Sequence, residues 1–131
     1  MKDQLLNDVA SVQTEQIIKQ LINSWNGQNK AVTIFINKYT DDVYLNEVAP
    51  SRNRAIYLFG HLIATSDGLL PLLGLGERLY PQLESIFLTS PDKTVAHIPK
   101  LAELKQHWEA INVALNDHFS KMLVIHLWVK L

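Results

Sequence analysis

The chain has 131 residues, 47% of them apolar and 19% charged, with a formal net charge of -1. That is one domain's worth of sequence, and its 12 Lys and Arg are scattered rather than gathered into a basic stripe, which argues against nucleic acid as a partner. With no cysteine there can be no disulfide, thiolate zinc site or cysteine nucleophile, and His, Asp and Glu remain as the strong metal ligands.

From Thr14 to Tyr39 the apolar residues Ile17, Ile18, Leu21, Ile22, Trp25, Val32, Phe35, Ile36 and Tyr39 recur at three- and four-residue steps, which predicts one long helix. At about 1.5 Å per residue it would run on the order of 39 Å, a normal length in a bundle. Thr14 reads as its N-cap, with Glu15 placed well against the helix dipole. Gly27 costs roughly 1 kcal/mol relative to Ala. Gln28 and Asn29 interrupt the stripe; they read either as a polar cavity lining or, more simply, as a satisfied hydrogen-bonded pair or solvated groove.

A second helix is predicted from near Ser51 or Asn53, after Pro50, carrying Ile56, Phe59, Leu62, Ile63 and Leu69 toward the core until Pro71 ends or kinks it. His61 lies beside that stripe. Gly74 and Gly76 open a loop, Pro81 suits the first position of a short helix through Phe87, and Ser90-Pro91-Asp92 reads as a turn. A further helix begins near Pro99, with Leu101, Leu104, Trp108, Ile111, Leu115, His118 and Met122 on one three-four seam. Beyond Phe119 the apolar run Leu123 to Leu131 carries no cap or turn and fits neither a bundle helix nor a finished terminus. No segment sustains a strand-like alternation. The start, Met1-Lys2-Asp3-Gln4, lacks an apolar signal core, and no apolar run approaches the roughly 20 residues that span a bilayer. The sequence therefore predicts a soluble, cytoplasmic, all-α protein of one domain, residues 1–131, with no membrane partner.

Several of these residues together resemble the DinB-like (DinB/YfiT) superfamily of bacterial metal-binding four-helix bundles. The likeness rests on Asn53-Arg54 leading into Gly60-His61-Leu62, on Asp67, on Leu72-Leu73-Gly74-Leu75-Gly76-Glu77-Arg78-Leu79 with Pro81, and on Pro91-Asp92 after Phe87. Leu104, Trp108, Asn112, Leu115 and Phe119 continue it. The resemblance implies an up-down helical bundle and a divalent metal, nickel, zinc or iron, held by one histidine of the second helix and a His-x-x-x-His pair of the fourth. His61 matches the first ligand. Residues four apart share a helix face and can aim two imidazoles at one ion, but His61, His97, His107, His118 and His126 include no such pair. The bundle is therefore expected with its fourth helix missing or incomplete.

Two functions of different class follow. In the first, the chain resembles metal-dependent thiol S-transferases or hydrolases, with a small-molecule thiol as partner and a metal at His61 that lowers the pKa of a thiol or water. His118 and His126, about two turns apart, are remote further ligands. The second is a non-catalytic bundle of a stress-associated or orphan kind. Its open apolar groove would be covered by a second copy, making it a homodimer.

For the other polar residues the simplest roles are structural. Asp67 could orient His61, although the six-residue offset favours a capping or loop role. Glu77 and Arg78 would tie the glycine loop, a substrate anion at Arg78 being the sharper alternative. His97 and His107 read as solvent-facing or loop residues. Trp25 and Trp108 read as core, and Trp128 as an apolar tail residue in need of cover.

Overall fold

The structure, a computed structural model, describes residues 2–129, with side chains described for residues 2–121. The chain is all-α: α1 spans Lys2–Ile36, α2 Ala55–Leu72, α3 Leu83–Phe87 and α4 Leu101–Val129, with a short 3-10 turn at Asp41–Leu45. Among the described residues there is no strand, only an isolated bridge between Glu47 and Arg54. The helical-bundle class expected from periodicity holds. Contacts divide the chain into two compact units, a central one of Ile34–Leu115 and a terminal one formed by the residues up to Thr33 with those from Asn116 onward.

The central unit holds a continuous core. Its α4 stripe, Leu101, Leu104, Trp108, Ile111 and Leu115, is buried at all five positions, as three-four spacing requires of a helix with one face inward. Facing residues come from α2 (Ile56, Phe59, Ile63, Leu70) and from α3 (Leu83, Phe87). Phe59 meets Trp108 edge to face at 5.7 Å between ring centroids. The last turn of α1 joins this unit through Ile36, and Tyr44 donates its hydroxyl to the Phe35 carbonyl while accepting the Tyr39 N–H at 3.2 Å.

In α2, Gly60 is required by packing. A Cβ there would fall inside van der Waals contact of the fully buried Phe87 ring. The start of α2 is fixed from outside the helix. Arg54 precedes it with extended backbone and no side-chain cap of its own, and the Asp92 carboxylate accepts its backbone N–H at 2.7 Å. That carboxylate also takes the guanidinium in a two-pronged pair, at 2.8 Å from Nη2 and 3.1 Å from Nε. Burial pushes the Asp92 carboxyl up, yet the Arg54 hydrogen bonds and charge outweigh it and hold the group below the usual carboxylate range.

Pro71 sits inside the last turn of α2, and the chain leaves through Gly74 and Gly76, both at positive φ (69° and 149°). The loop is anchored at its far end by Asp67. This fully buried carboxylate accepts the backbone N–H groups of Leu79 and Tyr80 at 2.8 and 2.9 Å. Arg78 reaches back to the Ala64 carbonyl at 3.2 Å. α2 is also the one described helix long and apolar enough to cross a membrane by length and composition, and 44% of it is buried inside the protein.

The terminal unit has no buried position among its described residues. Its main side-chain contact is Trp25 against Phe119, edge to face at 5.2 Å. An apolar cavity of about 300 Å³ adjoins them, lined also by Ile18, Leu21 and Ile22.

Three sequence expectations are corrected. The first helix begins at Lys2 rather than near Thr14, whose hydroxyl lies mid-helix and donates to the Ala10 carbonyl at 2.9 Å. The run after Phe119, expected to fit neither a bundle helix nor a finished terminus, has helical backbone continuous with α4 through Val129. The second helix begins at Ala55, since the Asp92 contact holds Arg54 extended.

Candidate functional site

His61 is the residue on which the sequence places any chemistry. One turn of α2 separates it from Tyr57, whose ring stacks beside it at 6.5 Å and 25°. The His61 Nδ1 lies 2.8 Å from the Phe87 carbonyl. A carbonyl can only accept, so Nδ1 carries the proton and a neutral ring keeps the Nε2 lone pair free. The residue is exposed, although both neighbours that fix it are anchored: Phe87 is fully buried, and the Tyr57 hydroxyl donates to the Ser90 carbonyl at 2.7 Å. His61 is therefore a fixed, accessible imidazole with one available nitrogen.

A divalent metal needs more than that. Retention calls for about three protein ligands, and among the described residues no three His, Asp or Glu side chains come together. The donor set does not fit the ion that the family resemblance implies. His118, half-buried, belongs to the terminal unit while His61 belongs to the central one. His126 lies outside the residues whose side chains are described, as do Met122 and Trp128.

The other singled-out residues have structural partners. Asp67 serves the loop and not His61, as its offset along the helix suggested. Arg78 is spent on the Ala64 carbonyl and packs over Gly68. No ion pair joins Glu77 to it among the described residues, contrary to one of the two ways in which the pair was expected to tie the loop. His97 is exposed, as expected of a loop residue. His107 is not solvent-facing: it is half-buried, stacked on Tyr80 with centroids 3.8 Å apart. Its Nε2 lies 3.5 Å from Glu103 without the alignment of a hydrogen bond. Of the mid-helix pair, Gln28 is exposed and Asn29 keeps a buried amide nitrogen without a partner, so the expected satisfied pair does not form. Trp108 is core, whereas Trp25 is half-covered at the edge of the apolar cavity.

Sequence reasoning passed over Tyr57 and the partner role of Asp92. Tyr57 was accessible from its position four residues before His61 on a helix. Asp92 carried no such signal, because its partner lies 38 residues away. No family model matches the chain, and no curated protein matches it either.

Proposed function

We infer that this is a DinB-like helical bundle that acts without catalysis, as a self-associating protein of the stress-associated or orphan kind. The observation that carries this reading is one side of α1, where Leu6, Ile17 and Leu21 fall within about 60° of one another and are each more than half exposed. Large apolar side chains left exposed along one side of a helix favour a partner that covers them. The single fixed imidazole at His61 supports it from the other side, since it falls short of a metal centre. A cytoplasmic setting accords with a cysteine-free chain.

The second reading is a metal-dependent enzyme of the thiol S-transferase or hydrolase class, acting on a small-molecule thiol. It is favoured by one observation. His61 donates through Nδ1 to a carbonyl, the arrangement that orients metal-ligating histidines toward an ion with Nε2.

Sedimentation equilibrium and elemental analysis on one purified sample separate the two. A dimer without stoichiometric divalent ion is expected. One nickel, zinc or iron per chain or per dimer, lost in His61→Ala, would overturn the non-catalytic reading in favour of the enzyme.

A further inference from the structure

A second cavity, of about 350 Å³, lies within the central unit, between the 3-10 turn, the start of α2 and the chain entering α4. Its walls are aliphatic: Ile56 and Leu101 are buried, Ile98 and Pro99 half-buried, and Leu45 forms an exposed edge. Three charged residues, Asp41, Arg54 and Lys100, complete the lining. Small-molecule sites have this makeup, apolar walls with a few polar groups around a space of about 300–1,000 Å³, and this cavity lies at the small end of that range.

The charges around it do not cancel. Arg54 is matched by Asp92, whose side chain is 3% exposed and whose carboxylate takes Nε and Nη2, and Asp41 is matched by Lys105 at 3.5 Å. Lys100 is exposed and has no ion-pair partner among the described residues. The cavity therefore carries a surplus of positive charge, that of Lys100. Arg54 adds direction, since Asp92 fixes the plane of its guanidinium and leaves Nη1 without a partner among the described residues, a donor held in place on the cavity lining.

We propose that this cavity binds a small aliphatic carboxylate, its hydrocarbon body against Ile56, Ile98, Pro99 and Leu101 and its charge at Lys100 and Arg54. The proposal goes beyond the self-association reading and does not depend on it. A monoanion balances the surplus charge. A cation would add to it and would have only Asp41 as a partner, already paired and 64% exposed. A neutral aliphatic molecule would cover the walls and leave Lys100 unmatched. Among the described residues the lining holds no aromatic ring to stack on, which favours an aliphatic body over an aromatic one.

The test is titration of the full chain with hexanoate, hexanol and hexylamine, followed through the backbone amide resonances at low ionic strength, where an exposed charge is least screened. Hexanoate should shift the amides of Ile98, Lys100 and Leu101 to saturation with a Kd on the order of 1 mM, a strength in keeping with so small a ligand. Hexanol and hexylammonium should bind at least about fivefold more weakly. In Lys100→Gln, a change at an exposed side chain that touches no core, hexanoate should weaken about fivefold and hexanol should not change. Lys121→Gln in the terminal unit should leave both as in the wild type. Hexanol bound as tightly as hexanoate, or hexylammonium bound more tightly, overturns the carboxylate. Shifts that fall elsewhere, or that do not approach saturation by about 20 mM hexanoate, overturn the site.

Discussion

Replacing Gly60 by alanine sets two effects of opposite sign against each other, and their sizes decide the outcome. In a helix interior the exchange contributes about 1 kcal/mol toward stability through backbone entropy. Against that, the new Cβ would overlap three carbons of the Phe87 ring. That ring is fully buried, so it cannot swing into solvent, and the Phe87 carbonyl is held by His61. Overpacking of a close-packed site costs about 1–3 kcal/mol, and an overlap with a ring that has nowhere to go belongs at the upper end. The net expectation for Gly60→Ala is a loss of about 1–2 kcal/mol. Urea unfolding at one fixed protein concentration, followed by far-ultraviolet circular dichroism, measures it. Phe87→Leu in the same background should relieve the overlap, so that the double variant loses at least about 1 kcal/mol less than the sum of the singles. If Gly60→Ala proves as stable as wild type or more so, helix propensity has won and the packing argument is wrong.

Two further predictions concern buried carboxylates. Because Arg54 holds the Asp92 pKa below its unfolded value of about 3.9, the stability that Asp92 contributes is complete above that value and disappears as pH falls through the lower folded one. Asp92→Asn should therefore cost about 1–3 kcal/mol at pH 7 and progressively less below about pH 4, as urea unfolding across that range would show; a gap independent of pH would refute the assignment. Asp67→Asn presents an amide N–H₂ to one of two backbone donors, leaving the Leu79 or Tyr80 N–H without an acceptor. A loss of about 1–3 kcal/mol is expected, with faster hydrogen exchange at those two amides, and unchanged exchange would show that the loop is held by something else.

The parts of the fold written in side-chain spacing were legible in advance. Leu101, Leu104, Trp108, Ile111 and Leu115 bury because the three-four rhythm is the geometry of one helix face. The start of α1 was not. Val9 and Val12 fall on a different side of the helix from Ile18 and Ile22, so the stripe that marks the later part gives no sign of the earlier one. Thr14 looked like a cap because threonine caps helices, but its hydroxyl is equally able to bond a carbonyl one turn back. At the candidate site the identity of His61 was readable and its setting was not. The group that fixes its tautomer is a main-chain carbonyl, which any residue would supply. Asp67 follows the same logic, since its two partners are backbone amides without side-chain signature.

The long-range bonds of α2 also bear on how the chain finds its fold. Going toward the start of the helix, His61 meets the Phe87 carbonyl, Tyr57 the Ser90 carbonyl, and Arg54 the Asp92 carboxylate. The sequence separations grow in that order, 26, 33 and 38 residues. Closing a loop costs entropy that rises only slowly with its length, and a loop nested around one already closed has few free residues left to order. Whichever of the three contacts forms first therefore bears most of the closure cost, and the other two, nested with it, cost little more to close.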